Sequence, residues 1–201
     1  MNCDLIAPHY WWIERLGMGR SLERRRRWFL PEIVHARRAL VLGDGDGRFL
    51  RELLRRNAVV RADYVDSSRR MLELARQKAG AERVNYQQAN ALTLEFPREA
   101  YDLIATHFFF DCFNADDLET LIGRVADAAK PGAQWIVSEF RTPNVPARLL
   151  VSALYLFFGI TTGLKTHKLA DHRPILRSHG FRLINASHSR GALVVSELWE
   201  R

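Results

Sequence analysis

Leu40-Val41-Leu42-Gly43-Asp44-Gly45-Asp46-Gly47-Arg48-Phe49-Leu50 is an apolar run that meets three alternating glycines and continues into a helical pattern. Ala39 to Leu42 reads as a first β-strand. Phe49, Leu50, Leu53 and Leu54 recur at the spacing of one buried helix face. Glycine between strand and helix removes Cβ, tolerates positive φ and lets backbone approach a ligand at the helix N-terminus. The stretch therefore predicts a nucleotide-type cofactor site at the end of the first strand.

The following residues extend the argument. Val59-Val60-Arg61-Ala62-Asp63-Tyr64-Val65-Asp66 reads as a second strand ending in an acid. A helix from Ser68 to Ala79 follows, with Met71, Leu72, Leu74 and Ala75 as its apolar positions. Asp66 stands roughly twenty residues beyond the loop, where a strand-end carboxylate of a doubly wound sheet accepts hydrogen bonds from ribose hydroxyls. The dinucleotide pattern G-x-G-x-x-G would require glycine at Arg48, whereas Gly43, Gly45 and Gly47 give G-x-G-x-G.

With these motifs the chain resembles the class I S-adenosylmethionine-dependent methyltransferases. Val65-Asp66-Ser67-Ser68 to Arg76 looks like the family's ribose strand and following helix. Ala89-Asn90-Ala91-Leu92 stands where the family has its adenine loop, Tyr101-Asp102-Leu103-Ile104 looks like its fourth strand, and Lys130-Pro131-Gly132-Ala133 like the turn before its fifth. Ile6-Ala7-Pro8-His9-Tyr10 adds a likeness to the quinone and lipid methyltransferase branch, which carries such a segment over the cofactor. The resemblance implies S-adenosylmethionine as cofactor. It places Gly43, Asp44 and Gly45 at the methionine portion, Asp66 at the ribose, and Ser67, Asn90 and Ala91 around the adenine. Tyr10, Thr106 and His107 complete the expected lining. The family normally carries an acid two residues before the first glycine. Val41 occupies that position here, and Asp44 or Asp46 is either its substitute or an ordinary loop residue.

Alternating elements continue to the end of the chain. Two N-terminal helices are expected at 9–17 and 21–36, further strands at 83–88, 101–106, 133–139, 181–187 and 192–199, and helices at 115–129, 146–158 and 168–178. Such alternation implies a parallel sheet covered on both faces. The loop His188-Ser189-Arg190-Gly191 is too short for a parallel crossover, so the closing pair is antiparallel. The expected fold class is α/β: a single Rossmann-like methyltransferase domain over 1–201, with a mostly parallel seven-stranded sheet and an antiparallel last strand. Residues 1–38 form a helical cap, and 141–167 a substrate-side insertion within the 39–201 core.

Composition agrees with one domain. The chain has 201 residues and 47% hydrophobic content, enough for a core without staples. Cys3 and Cys112 make no disulfide framework or zinc spacing, His167 and His172 share no helix face, and the expected location is the reducing cytoplasm. The N-terminus lacks the basic start and apolar core of a signal peptide. The net charge is +7, and Arg24-Arg25-Arg26-Arg27 invites a reading as a nucleic-acid or lipid patch. Charge runs more often form a solvated helix face, the arginines are spread along the chain, and Glu14, Glu23 and Glu32 interrupt the basic region. Nucleic acid is therefore not the expected partner; transient membrane contact is compatible, and nothing in the sequence fixes an oligomeric state.

Substrate chemistry is expected in two regions. Thr106-His107-Phe108-Phe109-Phe110-Asp111-Cys112-Phe113 follows the fourth strand. His107 there either accepts a proton or only lines the methionine end of the pocket. Asp111 either fixes the His107 tautomer or, as the favoured role, caps the next helix. Pro146 to Ile160 crowds large apolar side chains into a stretch too short to cross a bilayer; it is core, pocket wall or contact surface. The expected activity is methyl transfer to a small, apolar acceptor. A nicotinamide-dependent oxidoreductase is the first rival, lacking a Tyr-x-x-x-Lys pair, and a noncatalytic adenosylmethionine-binding or membrane-associated regulator is the second.

Overall fold

The computed structural model describes residues 19–141 and 170–201. Tyr10, the expected helices at 9–17 and 146–158, and the apolar segment Pro146–Ile160 lie outside the described residues.

Seven strands form one sheet: β1 Arg38–Leu42, β2 Arg61–Asp66, β3 Val84–Gln88, β4 Tyr101–His107, β5 Ala129–Phe140, β6 Arg182–His188 and β7 Val194–Glu200. Their spatial order is β3-β2-β1-β4-β5-β7-β6, and β7 runs antiparallel to both neighbours. The helices are α1 Gly19–Arg26, α2 Arg48–Arg56, α3 Arg69–Ala79, α4 Ala115–Ala128 and α5 His172–Ser178. Strand alternation builds the two layers of core. Leu40 and Leu42 face α4 and α5 with Ile104, Trp135 and Trp199, while Ala39 and Val41 face α2 and α3 with Phe49, Leu53, Tyr64 and Leu72. Side chains start three of the helices: Ser68 Oγ accepts from Met71 N at 3.2 Å, Asn114 Oδ1 from Asp117 N at 2.9 Å, and Asp171 Oδ1 from Arg173 N at 3.1 Å.

Several boundaries differ from expectation. The helix expected over 21–36 is broken: α1 stops at Arg26, and a separate 3₁₀ turn covers Leu30–Ile33. Pro31 explains the break, because it has no N–H to bond the carbonyl four residues back, at Arg27, and its ring crowds that carbonyl, while Pro is accommodated at the start of the new turn. Lys130-Pro131-Gly132, expected as a turn before β5, belongs to the strand and forms an irregularity where the β4–β5 register shifts, with Gly132 at φ +76°. The helix expected from 168 begins at His172, behind its Asp171 cap.

The arginine run is not the solvated face that was expected. Arg25 and Arg26 are 8% and 2% exposed. Arg25 Nη1 donates to Ser187 Oγ at 2.7 Å, its carbonyl accepts from Ser196 Oγ at 2.9 Å, and its guanidinium lies 4.4 Å from the Trp28 ring centroid. Burial lowers the Arg25 pKa. Arg26 lies over the Phe108 ring, beside the carboxyl end of β4. The run thus fastens α1 to the sheet, which also removes two of its arginines from any phosphate or lipid patch.

Candidate active site

The C-terminal ends of β1, β2, β4 and β5 converge on the glycine turn. Gly43, Gly45 and Gly47 all have positive φ, at +62°, +67° and +76°. They differ in surroundings. A Cβ on Gly43 would collide with the Phe109 ring, and one on Gly47 would stand 2.8 Å from Ala75 Cα, whereas one on Gly45 would meet no atom within 4 Å. Gly47 is thus needed for α2 to pack on α3, and Gly45 leaves open space that a ligand can enter. The Tyr64 hydroxyl fixes the turn by donating to the Gly45 carbonyl at 2.6 Å. Burial, with Asp44, Asp66 and Asp46 nearby, pushes that phenol well above its ordinary pKa.

Both aspartates of the turn are bonded locally, yet each keeps one buried carboxyl oxygen without a hydrogen-bond partner; Val41, where the acid is missing, is fully buried in the α2–α3 side of the core. Asp44 Oδ2 accepts from the N–H groups of Phe49 and Leu50 at 3.0 and 3.1 Å, so it satisfies the start of α2. This role follows from Gly47, the helix N-cap, having no side chain to do it. Burial raises the Asp44 pKa to about 7, against the pull of Arg26 and of the two backbone bonds. Asp46 pairs with Arg48 at 3.0 Å and with Lys78; burial alone would raise its pKa, but these cations outweigh it and hold it low.

Asp66 ends β2 half-buried and accepts from Ser68 N at 2.8 Å. The loop after β3 is drawn to it, since Ala89 N donates to the Asp66 carbonyl at 3.1 Å and Gln88 Nε2 to the Ser67 carbonyl at 3.4 Å. Asp66, exposed Ser67 and exposed Asn90 therefore stand together, with Ala91 buried beneath them. The open space over Gly45 and the strand-end carboxylate fit a nucleoside-bearing cofactor.

The post-β4 residues depart furthest from expectation. Thr106 is buried with its hydroxyl accepting from Trp135 Nε1 at 3.0 Å, which turns that group into the core instead of the cofactor turn. His107 is 1% exposed and packs on Phe49 at 4.5 Å between centroids, and its ring nitrogens have no hydrogen-bond partner. Burial, then the Arg26 charge, drives its pKa well below 6.5. Asp111 does not cap α4, a role taken by Asn114. It instead lines a cavity with Glu139, a residue that the sequence reading passed over. Glu139 Oε1 accepts from Phe109 N and Phe110 N at 3.0 and 2.9 Å, so β5 clamps the loop whose Phe109 covers Gly43.

A methyltransferase-domain family model matches residues 39–132. The demethylmenaquinone methyltransferase of Thermus thermophilus is 35% identical over 75% of this chain and 69% of its own length. The chain belongs to the class I S-adenosylmethionine-dependent methyltransferases. The demethylmenaquinone methyltransferase of Deinococcus radiodurans is 32% identical over 69% of this methyltransferase, which spans 58% of that relative. In fold, the methyltransferase superposes on an Archaeoglobus fulgidus S-adenosylmethionine-dependent methyltransferase with TM-score 0.71 at 16% identity, covering 90% of this chain and 94% of that one. The enzyme uses S-adenosylmethionine, and the nicotinamide alternative is not favoured.

Proposed function

We propose that this methyltransferase acts on a small acceptor with an apolar body, held beyond the carboxyl ends of β4 and β5. The observation that carries this reading is a cavity of about 360 Å³ at the carboxyl end of β5, whose lining includes Phe110, Phe140 and Val195 beside charged residues. The naming of similar proteins as demethylmenaquinone methyltransferases supports an acceptor of this kind. Gly43, Asp44 and Gly45 would hold the methionine portion of the cofactor, Asp66 the ribose, and Ser67, Asn90 and Ala91 the adenine. The bound cofactor supplies an electrophilic methyl group on a good leaving group, so the protein's main task is to align a nucleophile with it.

His107 is assigned to packing in this reading, because a buried imidazole packed on Phe49 and held neutral is poorly placed to take up a proton. Turnover of labelled S-adenosylmethionine against apolar and polar acceptors of similar size tests the proposal, and preference for polar acceptors would sink it. His107→Gln should keep turnover per folded molecule within about threefold, whereas a hundredfold loss at unchanged cofactor affinity would restore it as a base.

A further inference from the structure

We propose that the amino-terminal ends of β1, β2 and β3 form a second binding site, an arginine-lined recess that takes the phosphate groups of a small phosphorylated anion. The recess has a volume of about 420 Å³ and is lined by Arg37, Arg38, Arg61 and Arg83. It lies at the opposite end of the sheet from the glycine turn, because β1 runs from Arg38 to Leu42 before that turn begins. It is therefore a site apart from those of the cofactor and the acceptor.

Strand register brings the charges together. Arg38 and Arg61 are direct partners at the start of the β1–β2 ladder, and Arg83 precedes Val84, the partner of Ala62. Neighbouring strands lie about 4.8 Å apart, and like charges directly opposite one another destabilise a sheet. The fold holds two of these guanidiniums. Arg83 donates through Nη1 to the Asn57 carbonyl and through Nη2 to the Leu54 carbonyl, both at 2.7 Å, which closes the end of α2. Arg38 Nη2 lies 3.2 Å from Asp63 Oδ2, and its guanidinium is 5.1 Å from the Tyr101 ring centroid. Arg37 and Arg61 are exposed, and their side chains have no hydrogen-bond or ion-pair partner among the described residues. The nearby acids do not neutralise them. Asp63 is buried and already accepts from Arg38, from the Tyr101 hydroxyl at 2.8 Å and from Asn85 Nδ2 at 2.9 Å. Asp102 accepts from the backbone N–H groups of Arg37 and Arg38 at 3.0 and 2.9 Å and faces Lys130 Nζ at 3.7 Å. Glu82, exposed in the lining, pairs with no cation among the described residues.

The recess thus carries more positive charge than the fold uses, and that surplus defines the ligand. A guanidinium fork donates two parallel bonds to phosphate oxygens, and a concave surface of one sign focuses its field on an anion that enters. Arg38 and Arg83 are held in place and keep further N–H groups for a ligand. Arg37 and Arg61 stand beside them with every donor available to a second phosphate. A recess favours a small anion in solution over the plane of a membrane.

The test is calorimetric titration of sodium pyrophosphate into the full chain, with and without saturating S-adenosylhomocysteine, at a constant ionic strength of about 0.15 M. One pyrophosphate should bind per chain with a Kd below about 1 mM, and S-adenosylhomocysteine should leave that affinity unchanged. Arg37→Gln and Arg61→Gln should each weaken binding at least about fivefold. Arg61→Lys, which keeps the charge and loses the fork, should weaken it nearly as much. Arg124→Gln, at an exposed position of α4 outside the recess, should have no effect. No binding by the wild type overturns the site, and so does an equal loss in Arg124→Gln, which would reduce the effect to net charge. Competition by S-adenosylhomocysteine would put the anion at the cofactor turn and also overturns it. Vesicles of phosphatidylglycerol that bind the chain through Arg61 while pyrophosphate does not would replace the small anion by a membrane surface. Arg37 and Arg61 have no side-chain bond to lose, so both variants should fold, and the wild-type titration decides even where one does not.

Discussion

The two halves of the site are built in opposite ways. On the cofactor side, the turn and the end of β2 fix their acids by local bonds: Asp44 to the start of α2, Asp46 to Arg48 and Lys78, Asp66 to Ser68 N. On the acceptor side, Asp111 and Glu139 come from different segments and line a cavity with a carboxyl oxygen unpartnered. The first half is a preformed cradle whose polar groups are mostly committed to holding its shape. Both halves leave buried carboxyl oxygens without a partner, Asp44 Oδ1 and Asp46 Oδ1 in the cradle and Glu139 Oε2 at the cavity, so the difference lies in anchoring: within neighbouring residues on the first side, across distant segments on the second.

The comparison predicts its largest effect inside the cradle. Gly47→Ala combines a left-handed backbone with a collision against Ala75, and should destabilise the fold by about 3 kcal/mol or more in denaturant unfolding. A loss below about 1 kcal/mol would show that α2 and α3 are less tightly packed than described.

Asp66→Ala should leave the fold intact and weaken S-adenosylhomocysteine by roughly 1–3 kcal/mol, the scale of lost charge-assisted hydrogen bonds. Unchanged affinity in calorimetry would take the ribose away from β2.

The smallest expected effect sharpens the comparison between the acids of the two halves. Asp44 and Asp111 are raised from 3.8 to about 7, so they bind protons more tightly folded than unfolded. The stability they lend is complete below about pH 3.8 and is lost as pH rises to about 7. Glu197 has the opposite sign: held at about 2, its contribution is present above the ordinary 4.5 and disappears as pH falls towards 2. Buried His107, held well below 6.5, acts in the opposite direction over the same range, so the readout is the difference between proteins: Asp44→Asn should lose part of the gain in melting temperature that the wild type shows at about pH 5.5 relative to about pH 8. A slope identical in the variant would mean that Asp44 titrates normally.

The same division governs what could be read from the chain. The glycine turn, the strand-end Asp66 and the antiparallel closing pair are contiguous or set by loop length, and periodicity exposes them. Non-local geometry hid the rest. Arg25 and Arg26 look solvated in a run of four arginines, yet α1 lies on the sheet and buries both. The role of Glu139 was hidden because its partners are backbone N–H groups of the post-β4 loop. Asp44 was visible as a candidate, but its use as a remote cap for α2 depends on a fold of the turn that spacing alone does not specify. An acid late in a strand that otherwise reads Trp135-Ile136-Val137 is the one clue that pointed to Glu139.

The central claim is that the space over Gly45 belongs to the cofactor. Gly45→Ala fills that space with a methyl group that meets no protein atom within 4 Å, so its structural cost should be confined to left-handed backbone strain of about 1–2 kcal/mol. Titration of S-adenosylhomocysteine into the wild type and into folded Gly45→Ala measures the claim directly. One molecule should bind per wild-type chain and the variant should lose affinity at least tenfold; equal binding by both proteins would place the cofactor elsewhere.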